Sequence, residues 1–314
     1  MATTAADGHT SDQRGIPAAA LAMVGWAASG VIAKGIDELG PLAVVFWRMW
    51  IYTAIVLVFL QVRGTPLRWS SVRTSLGGGL SLGADIMLFF VSIRLTTVAN
   101  ATVIGSCQPV IMLLIAGRVF GERTRRRDWG LASVALVGVA VVLFGSAGLP
   151  AWSPAGDLLS VVTVIAWTLY FVFSKLTRRH IDAAQYTGST ALLAALFSTP
   201  FAIGSGQVFD MPSATAWTWL VILSIGPGFT SHMLMNWALG HIPAWLGSTL
   251  TLAIPVTSTL LAWAFLGEDV VPIQFAGMAI VIGALTVLVL GQTRQVAKPP
   301  PVTEHGQGEV GQGA

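Results

Sequence analysis

Residues 99–122, ANATVIGSCQPVIMLLIAGRVFGE, and residues 244–268, AWLGSTLTLAIPVTSTLLAWAFLGE, decide how this chain is built. Each is an apolar run with a proline near its middle and a Gly-Glu pair at its end. Pro109, Gly121, Glu122 and, further on, Gly145 recur as Pro255, Gly267, Glu268 and Gly291, each displaced by 146 positions. Trp26 and Lys34 recur as Trp167 and Lys175, displaced by 141. The chain therefore contains one unit twice. The copies part ways directly after the Gly-Glu pair: RTRRR succeeds Glu122, but DVVPI succeeds Glu268.

Composition says what the unit is made of. The 314 residues are 54% hydrophobic and 10% charged, with a mean hydropathy of +0.74. Soluble domains carry about 25% charged residues. Runs of roughly 20 apolar residues, long enough to cross a bilayer, recur at 17–36, 41–60, 75–95, 98–117, 129–147, 156–175, 184–204, 215–239, 244–265 and 272–291. They are apolar on every face, which excludes the alternating pattern of a membrane β-barrel. The fold class expected is an all-α membrane protein of about ten transmembrane helices.

Five spans per unit is an odd number, so the second unit crosses the membrane upside down. The predicted repeats are 17–147 and 156–291. They are flanked by a polar tail, 1–16, and a tail rich in Pro, Gly and Gln, 292–314, that reads as disordered. No basic patch or cleavage site precedes the first span, so it is expected to stay as an uncleaved anchor. With ten spans both termini share a side. One side then holds Arg14, Arg63, Arg68, Arg73, Arg118, Arg123, Arg125, Arg126, Arg127, Lys175, Arg178, Arg179, Arg294 and Lys298, which is 14 of the 17 Lys and Arg. The other side keeps Lys34 and Arg94. Cytoplasmic loops carry the excess of Lys and Arg, so both termini are placed in the cytoplasm of a multi-pass protein of the plasma or inner membrane. The net charge of +3 reflects this topology and gives no reason to expect a nucleic-acid partner.

Two inverted five-helix repeats, a lysine closing the first span, the FWR of the second span (46–48) and paired Pro/Gly-Glu segments together resemble the EamA-type transporters of the drug/metabolite transporter superfamily. The resemblance runs over roughly residues 17–291. It implies a ten-helix permease that moves small organic solutes, often outward and often amino acids or related metabolites. It does not name a substrate. One departure stands out: displacement of Arg48 by 141 lands on Ser189, so any role of Arg48 belongs to one half.

Proline removes a helical hydrogen bond to the carbonyl four residues back, so Pro109 is expected to free the carbonyl of Gly105 and Pro255 that of Thr251. Non-helical backbone at membrane depth is tolerated where it lines a cavity. In the eighth span Gly226-Pro227-Gly228 is expected to interrupt the helix, with His232 and Asn236 on one face beyond it. The third span is loosened by Gly77, Gly78, Gly79 and Gly83. Candidate substrate-binding or gating residues are Trp26, Arg48, Asp85, Asn100, Gln108, Trp167, Tyr170, His232 and Asn236; Pro109, Gly226, Pro227 and Pro255 are the candidate helix breaks.

Each has a plainer reading. Membrane Gly and Pro often serve packing alone, and His232 with Asn236 reads first as an interhelical hydrogen-bonding pair. Trp69, Trp152 and Trp217 fit the interfacial belt. Glu122 and Glu268 read as helix caps or gate contacts, and Lys34 can snorkel. Ionisable residues deep in a membrane are harder to explain away, because each costs about 2.5–3.5 kcal/mol near the centre. Arg48 lies about 10 Å and Asp85 about 15 Å below the same membrane surface at 1.5 Å per residue, so the two are expected to pair if their helices adjoin.

The function expected is a secondary transporter of small organic metabolites, exporting amino-acid-like or toxic compounds by alternating access. Asp85 and His232 are the candidate proton carriers. A receptor, scaffold or channel on the same fold is the alternative. A membrane-embedded enzyme ranks last, for want of HExxH or paired aspartates. No GxxxxGK[ST] loop is present, so primary pumping is unsupported. One cysteine, Cys107, and no dense carboxylate or imidazole cluster argue for no metal and no cofactor.

Overall fold

The computed structural model describes residues 14–96, 98–147 and 153–296; most of the N-terminal tail and the tail from 297 onward lie outside the described residues. Helices account for every extended element: α1 (Gly15–Ala33), α2 (Pro41–Val62), a short α3 (Trp69–Thr74), α4 (Leu76–Leu95), α5 (Val98–Gly105), α6 (Gln108–Phe120), α7 (Arg126–Ala147), α8 (Pro154–Thr177), α9 (Ala183–Gly204), α10 (Ala214–Leu223), α11 (Ser231–Leu239), α12 (Ala244–Leu250), α13 (Ala253–Leu266) and α14 (Pro272–Val296). Ten helical stretches among these residues are long and apolar enough to span a membrane. The fourth is α5 with α6, the eighth α10 with α11, and the ninth α12 with α13.

Local chemistry sets the ends. Pro41 and Pro154 begin α2 and α8, where a missing N–H is harmless. The Asp182 carboxylate caps α9 by accepting from the N–H groups of Ala184 and Gln185 at 2.8 and 3.0 Å. Gly121 and Gly267 close α6 and α13 in the left-handed conformation, φ +69° and +67°. A side chain there costs roughly 1–2 kcal/mol, which explains the glycine of each Gly-Glu pair.

The fourth and ninth spans are both broken, at Ser106–Cys107 and at Thr251–Leu252, with Pro109 and Pro255 in the first turns of α6 and α13. One expectation needs correcting: the Thr251 carbonyl is not left over, because it accepts from the N–H of Ile254 at 2.9 Å. The eighth span needs another. Gly226-Pro227-Gly228 does not interrupt the helix; Ser224–Thr230 widens into a π-helical turn that carries α10 into α11. A widened turn absorbs the proline ring while keeping the chain helical.

Packing follows the duplication. α2 lies against α9, α4 against α8, and in mirror image α1 against α11 and the π-turn; α7 lies against α14. Glycines make this close approach possible. A Cβ on Gly138 would sit 3.0 Å from the Gly277 carbonyl, and one on Gly277 2.8 Å from the Gly138 carbonyl. In α4, a Cβ on Gly78 would fall 2.1 Å from the Tyr186 hydroxyl and one on Gly79 2.3 Å from Leu193 Cβ. Gly78, Gly79 and Gly83 thus seat α4 on α9, and Gly77 faces Phe173 of α8. Basic side chains gather at one end of the bundle, hereafter the basic end, in the segments after α2, between α6 and α7, and after α8.

Candidate functional site

Near the middle of the bundle, aromatic rings from both repeats meet. Trp26 of α1 and its counterpart Trp167 of α8 touch edge to face, with centroids 5.0 Å apart. His232 of α11 lies 5.1 Å from Trp26 and stacks on Tyr52 of α2 at 5.8 Å. Tyr170 stacks on Trp167 at 5.6 Å and on Tyr186 of α9 at 6.1 Å. Such pairs add about 0.5–1.5 kcal/mol each beyond burial. More to the point, they fix the ring orientations against one another, using helices from both halves.

A hydrogen-bonded chain locks one wall. The Tyr170 hydroxyl lies 3.1 Å from His232 Nδ1 and donates to Asn236 Oδ1 at 3.0 Å. Ser174 donates to the same oxygen at 2.8 Å, while Asn236 Nδ2 donates to Thr187 Oγ1 at 3.0 Å. All five side chains are buried. The pair His232–Asn236 therefore joins α11 to α8 and α9.

Arg48 and Asp85 border the same cluster. Arg48 is 6% exposed and Asp85 9%, and α2 adjoins α4. Arg48 interacts electrostatically with Tyr52, Asp85 and His232, and Asp85 with Tyr170. The ion pair expected between them is not formed: they share no hydrogen bond and no contact within 4 Å among the described residues. Arg48 Nε and the Tyr52 hydroxyl are buried without a hydrogen-bond partner. Buried polar groups are nearly always satisfied, so these two orphans, like Ser75 Oγ and Gln108 Nε2 elsewhere in the bundle, call for a partner.

Seven candidates thus converge: Trp26, Arg48, Asp85, Trp167, Tyr170, His232 and Asn236. Two do not. Asn100 sits at the end opposite the basic one, where it donates to Thr96 Oγ1 and Asp157 Oδ1, both at 3.4 Å. Gln108 lies at the α5–α6 break, where its Oε1 accepts from Ser248 at 2.7 Å and Thr251 at 3.5 Å. It ties the two helix breaks together. Tyr52, Phe171, Ser174, Tyr186 and Thr187 complete the cluster and carry no sequence signal, because an aromatic or a lone hydroxyl inside an apolar span looks like ordinary filling.

The basic end carries a second constellation. Glu122, beyond α6, lies 3.3 Å from Lys175 Nζ and accepts from the N–H groups of Ala244 and Trp245 at 2.8 and 3.3 Å. Lys175 also donates to the Ile242 carbonyl. Beside it opens a cavity of about 590 Å³ lined by Phe59, Arg63, Arg178, Asp182, Met233 and Trp237 among others. Burial lowers the pKa of Arg178, and the nearby Asp182 carboxylate opposes that shift.

Comparison with known proteins bears on this arrangement. Residues 13–144 and 154–290 each match the EamA-like transporter family. An uncharacterized transporter of Bacillus subtilis, YetK, is 26% identical over 294 residues, covering 90% of this chain and 88% of that protein. The uncharacterized inner membrane transporter YedA of Escherichia coli K12 is 23% identical, over 89% and 92%. A Salmonella typhimurium protein named "Probable amino-acid metabolite efflux pump" is 22% identical, over 89% and 96%. A solved crystal structure, 22% identical, superposes with a TM-score of 0.77 over 90% of this chain and 98% of its own.

Proposed function

Because the chain belongs to the EamA-like transporter family, we propose that it is a secondary transporter exporting small amino-acid-like solutes across the cell membrane by alternating access. The basic end and both termini face the cytoplasm in this reading, which rests on the distribution of Lys and Arg. The efflux direction draws support from the name of the Salmonella relative.

One observation carries the substrate reading: Arg48 and Asp85 are buried beside one aromatic cluster and do not touch. Stranding a buried charge costs several kcal/mol, and evolution retains such a cost where a ligand relieves it. A solute with a carboxylate and an ammonium group supplies the missing partner to both residues at once. The carboxylate takes the guanidinium in the bidentate geometry that arginine favours, and the ammonium takes the Asp85 carboxylate. Trp26, Trp167 and Tyr52 then face the solute body, where ring faces accept apolar groups and cations alike.

Binding to purified protein tests this. A panel of amino acids should compete with one another, whereas analogues lacking either charge, a primary amine and an N-acyl acid of matched size, should bind at least tenfold more weakly. Equal affinity for all three would remove the zwitterion reading.

A further inference from the structure

We propose that the cavity at the basic end is a loading site, which takes up a solute bearing a carboxylate and an ammonium group before that solute reaches the aromatic cluster. The inference rests on the export reading above and adds a second subsite to it.

The cavity and the cluster are built on the same helices. Phe59 lies seven residues after Tyr52 on α2, Ala18 eight before Trp26 on α1, and Ala183 three before Tyr186 on α9. Such spacings keep each pair on one face of its helix. The cavity is thus displaced from the cluster by roughly 5–12 Å, at 1.5 Å per residue, towards the basic end. α11 serves both: His232 and Asn236 belong to the cluster, Met233 and Trp237 to the cavity. Met233 touches the two of them, since its sulfur lies 3.9 Å from Thr187 Oγ1, which in turn accepts from Asn236. Methionine has three rotatable bonds and adapts its shape, which suits a place where a solute passes from one subsite to the next.

The chemistry of the cavity matches such a solute. Its volume of about 590 Å³ falls among those of small-molecule sites, roughly 300–1,000 Å³. Phe59, Met233 and Trp237 give it apolar surface, while Arg63, Arg178 and Asp182 bring both signs of charge. Each charged group keeps bonding capacity to spare among the described residues. The Arg63 guanidinium lies 5.4 Å from the Phe59 ring centroid and makes no hydrogen bond. Arg178 uses Nε on the Asn236 carbonyl and Nη1 on the Ile181 carbonyl, which leaves Nη2. Asp182 caps α9 with Oδ1 alone, so Oδ2 is open to a further donor. A solute carboxylate fits the two guanidiniums and its ammonium fits Asp182. A ligand carrying only one sign of charge is opposed by the group of like sign. Arginine, aspartate and aromatic rings thus recur together one step away from Arg48 and Asp85, at the end where an exported solute enters.

Thiol protection tests this. In a Cys107→Ser background, Ala18→Cys places a thiol in the cavity, and its modification by a small methanethiosulfonate is timed in nanodiscs with leucine or phenylalanine added. Either amino acid should slow the reaction, and a primary amine or N-acyl acid of matched size should require a higher concentration to do so. Protection should persist when the central site is disabled by Arg48→Ala, or by Arg48→Gln should the alanine variant fail to fold. Arg63→Gln removes an exposed charge that makes no hydrogen bond, and Asp182→Asn keeps a capping oxygen for α9. Each should raise the half-protecting concentration by about twofold to fivefold, as expected of an exposed charge pair. In proteoliposomes the same two variants should raise KM for efflux more than they lower kcat, which a general loss of folding does not do. Protection that vanishes with the Arg48 variants, or half-protection equal in all variants, overturns the proposal. So does modification that is slowed by phosphatidylglycerol in the nanodisc and indifferent to amino acids, which makes the cavity a lipid site. If neither amino acid protects while both still leave proteoliposomes in an Arg48-dependent way, the loading site alone fails. If neither is carried at all, the export reading fails and the loading site with it.

Discussion

Replacing Asn236 with leucine tests how the aromatic wall is held. The side chain is fully buried and makes three hydrogen bonds: Tyr170 and Ser174 donate to its oxygen, and it donates to Thr187. Leucine has nearly the same volume and none of the polar atoms. Interhelical hydrogen bonds within membranes average about 0.6 kcal/mol and reach about 1.7, so three lost together amount to roughly 2 kcal/mol. Tyr170 keeps its contact with His232, and Thr187 still reaches Met233 Sδ at 3.9 Å, so the loss should not climb far above that. At roughly 2–4 °C per kcal/mol, the melting temperature should fall by several degrees. Fluorescence-detected size exclusion of heated, detergent-solubilised protein measures it. Asn236→Asp keeps the acceptor for Tyr170 and Ser174, and when protonated at low pH its hydroxyl can also donate to Thr187, so its fall should be smaller there. An Asn236→Leu protein as heat-resistant as wild type refutes the reasoning.

Other expectations come from the same geometry. Arg48→Ala and Asp85→Ala should each abolish transport, and the double variant should stay inactive; recovery of flux in the double variant indicates that the two charges only balance each other and do not meet the solute. Gly78→Ala should lower membrane abundance sharply, since its Cβ would lie 2.1 Å from the Tyr186 hydroxyl, whereas Gly283→Ala, with nothing within 4 Å, should express normally. In a Cys107→Ser background, a membrane-impermeant thiol reagent applied from outside should label single cysteines at positions 210 and 269 and spare one at 125. Outside labelling at 125 contradicts the assigned orientation.

Much of the architecture was legible because bilayer thickness translates directly into sequence. Each of the ten apolar runs became a helical stretch, and the prolines at 109 and 255 marked real breaks because no helix can accommodate the missing N–H without a local adjustment. Pro227 was harder: whether a proline breaks a span or widens one turn depends on what surrounds it, and here a π-turn absorbs it. The site was half readable. Charged or polar residues such as Arg48, Asp85, His232 and Asn236 stand out against an apolar background, and the repeat offset singled out Trp26 with Trp167. Tyr52, Tyr186 and Thr187 did not stand out. Lipid is as apolar as the core, so a span shows no polar face from which to read the inward direction. The same loss of azimuth explains why Arg48 and Asp85 matched in depth without meeting, and why Asn100 fell to a peripheral network with Asp157.

The central claim is that this chain moves a zwitterionic solute through a pocket governed by Arg48 and Asp85. Flux in proteoliposomes of purified protein tests it most directly, with internal radiolabelled amino acid and external unlabelled amino acid, amine or N-acyl acid. The account predicts release that is accelerated by the wild-type protein over protein-free liposomes and lost in Arg48→Ala. It also predicts that, of the three external compounds, the zwitterion alone exchanges with the label. Release unaffected by Arg48→Ala, or equal exchange with all three compounds, contradicts it.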